Sequence, residues 1–227
     1  MPTPHDDPAT PHRFADRRDA GAHLAKRLAS LAGEQPLVLA LPRGGVPVGY
    51  EIAQALHAPL DVLLVRKLGA PGQPELGLGA VVDGPVPRRI LNESVIAHVR
   101  PGARWLEEEE RRQLAVIAER KRAWRRGHPA QPLAGRLVIL VDDGIATGGT
   151  VGAALLALAH AGVRRTVLAV PVAPPDALAR LPLAKADFVC LRQPADFMSV
   201  GQYYVDFSQT SDEELLALLD AAAGLPR

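Results

Sequence analysis

The chain has 227 residues, with 26 Lys and Arg against 25 Asp and Glu and a net charge of +1. Hydrophobic residues at 48% and charged residues at 22% match an ordinary globular protein, which excludes a disordered chain, a fibre and a disulfide scaffold. The balanced charge, the 4% aromatic content and the lone Cys190 argue against a polyanion-binding face, a single-strand stacking platform and an internal disulfide.

Residues 1–13 are rich in Pro, His and Asp and have no apolar core, so they read as a disordered tail and not as a signal peptide. Residues 14–227 read as one domain. Asp16 to Ala32 places Ala20, Leu24, Leu28 and Leu31 on one helical face, with Asp16 as the cap. Leu37 to Leu41 is a continuous apolar run, the pattern of a strand buried on both faces. The loop Pro42 to Gly45 leads into helical spacing from Val46 to His57, and Leu60 to Val65 is a second buried strand. Arg66 to Gly79 is rich in Gly and Pro and reads as a long loop; Ala80 to Val82 follows as a short strand.

Between Asn92 and Arg126 the chain carries Glu107 to Glu110 and then a run of Arg and Lys, the polarity that suits a long solvated helix. Leu137 to Val141 is the strongest strand pattern. A loop from Asp142 to Thr150 and an Ala-rich helix from Val151 to Ala161 come next. Thr166 to Val172 and Asp187 to Leu191 are further strands, and Ser211 to Ala223 is a helix opened by the capping box Ser211 and Glu214. Buried strands alternating with helices predict an α/β fold with a mainly parallel sheet, whose ligand sites lie beyond the carboxyl ends of its strands. No apolar run reaches the ~18 residues of a spanning helix, so no membrane partner is expected, and the setting read from the sequence is cytoplasmic.

One segment concentrates chemistry. Four apolar residues, Val138 to Val141, run into Asp142 and Asp143, and Gly144-Ile145-Ala146-Thr147-Gly148-Gly149-Thr150 opens a helix. Gly148 and Gly149 allow a tight turn whose N–H groups wrap an anion, and the helix dipole and two Thr hydroxyls add to the attraction. Two carboxylates beside a phosphate loop would repel a bare phosphate. They suit a sugar phosphate, with the acids accepting from ribose hydroxyls. No Lys follows the glycines as in an NTPase phosphate loop, and Gly77-Leu78-Gly79 lacks the third glycine of a dinucleotide fingerprint. The chain has no Gly-x-Ser-x-Gly elbow, no His-Glu-x-x-His pair and no His spacing that suits zinc.

These thirteen residues, 138–150, resemble the phosphoribosyl diphosphate (PRPP) binding motif of type I phosphoribosyltransferases, and the resemblance extends over about residues 14–210. It implies a parallel α/β domain with a small hood, here interrupted by a helical insert at about 92–126. It implies ribose binding by Asp142 and Asp143, and 5′-phosphate binding by Ala146, Thr147, Gly148, Gly149 and Thr150. Arg43, Gly44 and Gly45, together with Arg66 and Lys67, would hold the diphosphate. The 66–79 loop is similar to the mobile lid of such enzymes, with Lys67 and Glu75 as its catalytic groups, Glu75 as a proton acceptor. Mg²⁺ is the implied cofactor, carried mainly by the ligand and reaching Asp142 and Asp143 through water, with no dedicated protein metal site.

Ala146 stands where 6-oxopurine enzymes of the family carry an Asp, and the Ala-Thr-Gly-Gly run is closer to adenine and uracil enzymes, yet the helical insert at 92–126 and the segment Ala195 to Phe207 match neither of these well. The chain therefore resembles those bacterial phosphoribosyltransferases whose acceptor is unassigned. The implied activity is transfer of ribose 5-phosphate from PRPP to a nitrogenous base or related acceptor. The alternative is a PRPP- or nucleotide-binding regulator with the same fold and no turnover. No nucleic-acid partner is expected, and the oligomeric state, a homo-oligomer included, is left open.

Overall fold

The structure, a computed structural model, describes residues 12–84, 87–126, 130–182 and 187–224, without the side chains of residues 74 and 75. The tail expected at 1–13 lies almost wholly outside the described residues. Asp16 caps helix α1 (Arg17–Leu28) by accepting from the Asp19 N–H at 2.8 Å. A 3₁₀ turn over Ala29–Glu34 continues the helix to Gln35. Strand β1 (Leu37–Ala40), helix α2 (Gly45–Leu56) and strand β2 (Leu60–Val62) follow as the apolar runs predict.

Strand β6 (Leu137–Val141), helix α5 (Gly149–His160), strand β7 (Arg165–Val172), the short helix α6 (Pro175–Ala179) and strand β8 (Phe188–Arg192) complete the main sheet and its covering. Its order is β2-β1-β6-β7-β8, and every pairing is parallel. The alternation of a strand divides the β6 side chains between two cores. Leu137, Ile139 and Val141 face α1 and α2, and Val138 and Leu140 face α5 and α6. All five are almost fully buried, each worth about 1.5–3 kcal/mol of apolar burial. From β1 the chain steps outward to β2 and later returns to β6 on the other side, so the order reverses between β1 and β6.

The segment 66–79 is not a loop. It forms a hairpin of strands β3 (Val65–Ala70) and β4 (Gln73–Val82), joined by β5 (Arg88–Leu91) in a separate three-stranded antiparallel sheet. Pairs such as Arg66 with Val81 and Lys67 with Ala80 carry the ladder, and the expected short strand at 80–82 is the end of β4. Gly72, with φ of +72°, makes the tight turn that the composition suggested was a loop.

The insert is two helices, α3 (Glu93–Val99) and α4 (Ala103–Arg125). Helix α4 is not a fully solvated rod. Its Ile117 and Trp124 join Leu68 of β3 and Leu215 of helix α7 (Asp212–Ala223) in a third core. Asp83 is buried between Lys121 at 2.9 Å and Arg125 at 3.5 Å, which ties α4 to the end of the hairpin. Among the described residues no helix is long and apolar enough to cross a membrane.

Candidate active site

The reversal of strand order between β1 and β6 opens a crevice at their carboxyl ends, and two loops meet there. The Leu41 N–H donates to the Val141 carbonyl at 2.8 Å, which carries the β1–β6 ladder into the loops. Gly44 and Gly45 make this approach feasible. A Cβ on Gly44 would fall 1.9 Å from Asp143 Oδ2, and one on Gly45 would fall 2.7 Å from the Val141 carbonyl oxygen. Only glycine lets the 42–45 loop lie against the acidic pair.

The two carboxylates have different surroundings. Asp142 accepts from the Asp143 N–H at 2.9 Å. Burial first, and then the neighbouring Asp143 carboxylate, push Asp142 well above the usual carboxylate range. Asp143 is held by Arg17, whose Nε donates to Oδ2 at 2.8 Å. Arg17 also donates to the Ser208 carbonyl at 2.6 Å, and its guanidinium lies 4.0 Å from the centre of the Phe207 ring. The Tyr204 hydroxyl donates to the Asp143 carbonyl at 2.6 Å, and burial and then Asp143 keep that phenol well above its ordinary pKa, a neutral donor.

Sequence reading missed Arg17, Tyr204 and Phe207. Arg17 lies 126 residues from Asp143 in the chain, and the aromatics lie in the 195–207 segment that the resemblance did not explain. Val200 of that segment packs at Gly144, where a Cβ would fall 2.5 Å from Cγ1, so the segment covers the acidic loop from above.

Beyond the pair, Gly148 at φ +81° starts helix α5, and its carbonyl accepts the first intrahelical bond from Gly152 at 2.7 Å. Gly149, Thr150 and Val151 therefore present N–H groups that the helix itself does not use, and no side chain caps them. Space is open around Gly149. With the dipole of α5 behind them, these groups are able to bind an anion. Thr147, Gly148 and Gly149 line a cleft of about 780 Å³ between α5, α6 and the hairpin, into which Lys67, Asn92, Ser94 and Arg180 also face. Ala146 is exposed at its approach.

The remaining candidates separate. Lys67 and Arg66 are neighbours on β3, so they leave on opposite faces. Lys67 lines the cleft, and Arg66 crosses to α4, where its Nε donates to Gln113 Oε1 at 3.0 Å. Arg43 reaches across to α7 and meets Asp212 Oδ1 at 3.4 Å, an exposed and weak pair. Glu75 lies on β4, and its side chain falls outside the described residues. Among the described residues no three His, Cys, Asp or Glu side chains gather as a metal cage. The two hard carboxylates suit Mg²⁺ whose other ligands are substrate oxygens and water.

The model of the family described as phosphoribosyl transferase domain matches residues 15–208. The chain belongs to that family.

A Mycobacterium tuberculosis (strain H37Rv) protein, provisionally named a phosphoribosyl transferase, is 50% identical over 210 residues, 92% of this chain and 47% of its own length. The chain thus spans about half the length of the curated relatives it matches. Among solved structures, TT1426 from Thermus thermophilus is 48% identical, with a TM-score of 0.81 over 93% of this chain and all of that one. A Neisseria gonorrhoeae protein solved with bound ppGpp shares the fold at 14% identity and a TM-score of 0.50, over 92% of this chain and 94% of that one. Within this phosphoribosyl transferase fold the candidate site lies at the carboxyl ends of the main parallel sheet, and the small antiparallel sheet is formed separately by β3, β4 and β5.

Proposed function

We propose that the protein transfers ribose 5-phosphate from PRPP to a nitrogenous acceptor. The observation that carries this reading is the junction of Gly44 and Gly45 with Asp142 and Asp143, next to the open N-terminus of α5. A 5′-phosphate would sit on the N–H groups of residues 147–150, with Ala146 at its edge and Lys67 across the cleft. The ribose hydroxyls would donate to Asp142 and Asp143. The diphosphate would take Arg43, the N–H groups of Gly44 and Gly45, and Arg66 on the α4 side of β3; Lys67, expected from the sequence to be a diphosphate and catalytic group, lines the cleft beside Thr147 and Gly149, and we assign it to the 5′-phosphate side of the donor.

As the C1–O bond of the donor breaks, its electron pair goes to diphosphate and the acceptor nitrogen forms the new bond to C1. Charge develops on the leaving oxygens, so fixed cations and N–H donors aimed there lower the barrier. Asp142 and Asp143 would hold Mg²⁺ through water when it binds with the donor, and the ion would neutralise part of the diphosphate charge. Glu75 is the group proposed to take the acceptor's proton. Arg17 and Tyr204 hold Asp143 in place before the donor arrives.

Titration calorimetry with PRPP and Mg²⁺, followed by diphosphate release with a panel of bases, tests the reading. Binding with release on one class of base is the expected result. Absence of binding at millimolar PRPP would refute the site. Binding without release on any base would favour the regulator reading.

A further inference from the structure

The long helix α4 is absent from the chemistry described so far, yet one stripe of it turns toward the site. At 100° per residue, Gln113, Ile117, Arg120 and Trp124 fall within about 60° of one another. Ile117 and Trp124 are buried in the core shared by β3 and α7. Gln113 on the same stripe receives Arg66, and its own amide donates to Glu109 Oε1 at 2.8 Å. Arg120 stands between these anchors, half-buried, its guanidinium 5.4 Å from the centre of the Trp124 ring. Arg43 comes to the same junction from the β1 end, through its contact with Asp212 at the start of α7.

Arg66 on Gln113 of α4, Arg43 on Asp212 at the start of α7, and Arg120 on the same stripe of α4 thus border one junction of α4, α7 and β3. Burial, then Arg66, then Arg43 lower the pKa of Arg120, and Asp212 and Glu119 offset this only in part. A multiply charged anion placed among these cations would offset their mutual repulsion.

We propose that Arg120 of the helical insert is a third diphosphate-binding cation, acting with Arg43 and Arg66. This rests on the PRPP reading and deepens it: the insert then completes the leaving-group site. Glu109 and Gln113 are positioning residues, since they hold Arg66 and do not themselves reach an anion. Arg112, paired with Glu109 at 2.8 Å, is exposed and faces away from the cluster.

The test is titration of wild type, Arg120→Gln and Arg120→Lys with three ligands in Mg²⁺: PRPP, inorganic diphosphate and ribose 5-phosphate. Arg120→Gln should bind PRPP and diphosphate about ten- to a hundredfold more weakly, the range of one charge-assisted contact, and ribose 5-phosphate as wild type does. Arg120→Lys should recover part of the loss, because the charge returns without the planar fork. If Arg120→Gln binds all three ligands like wild type, the inference fails and the PRPP reading stands. If it loses all three equally, Arg120 serves the packing of Trp124 and the inference again fails. If wild type binds ribose 5-phosphate but neither PRPP nor diphosphate, the PRPP reading itself falls and the inference with it.

Discussion

Two neighbouring aspartates at one strand end do unlike work. The pKa of Asp142 is raised in the folded chain, so the native state favours its protonated form. Its contribution is least costly below the unfolded value near ~3.9, and stability declines as pH rises from there toward the raised folded value. Asp142→Asn removes that ionisation, and its amide oxygen can still accept from the Asp143 N–H. The substitution should raise the melting temperature at pH 7 and flatten the pH dependence above pH 4, and it should weaken PRPP binding. Identical pH profiles for wild type and variant would place the destabilising charge elsewhere. Gly44 gives a sharper case. Its alanine would drive a methyl into Asp143 Oδ2, so the carboxylate or the loop must shift by an ångström or more. Such a displacement should lower kcat/KM about a hundredfold with the fold retained, as read by steady-state kinetics and circular dichroism.

The small sheet turns a sequence neighbour relation into a separation. Because Arg66 and Lys67 lie on opposite faces of β3, their replacement should give different signatures. Lys67→Ala should weaken ribose 5-phosphate as well as PRPP, since Lys67 shares its cleft with Thr147 and Gly149. Arg66→Gln should spare ribose 5-phosphate and weaken PRPP by about tenfold or more. Matching losses across both ligands for both variants would contradict the two-faced arrangement. The same element is where local sequence signals ran out. Glycines and prolines mark turns, and a hairpin's ladder depends on partners such as Arg66 with Val81, which no local pattern reveals. Helix α4 was legible as a helix from its charges, yet the burial of Trp124 and Glu109 depends on β3 and α7 packing against it. The ion pairs of Asp83 fasten that packing. Asp83→Ala removes one of two carboxylates at Arg125, which keeps Asp61 at 3.4 Å, and should cost about 1.5–3 kcal/mol in urea unfolding.

Across the whole molecule, the parallel sheet was readable because its strands are continuous apolar runs buried on both faces, as in LVILV at 137–141. The acidic pair and the Thr-Gly-Gly-Thr turn were readable because thirteen contiguous residues carry them. The supports of Asp143 were not, since Arg17 and Tyr204 come from distant parts of the chain. Phe14, fully buried, lies 5.7 Å from Tyr204 ring to ring, and its N–H donates to the Tyr203 carbonyl at 2.8 Å. Phe14→Ala should therefore cost about 3–5 kcal/mol of global stability, measurable by denaturant titration.

That seam between residues 13–15 and 203–206 also sets a timetable. A growing or refolding chain has Arg17 and the entire carboxylate and glycine motif by residue 150, yet the Tyr204 bond to the Asp143 carbonyl and the Ser208 bond that fixes Arg17 form only when the 203–208 segment returns to meet Phe14. Closing a loop of that span is slower than forming helices or neighbouring strand pairs. Ligand competence should thus be the last property to return after dilution from denaturant, trailing the recovery of helical signal.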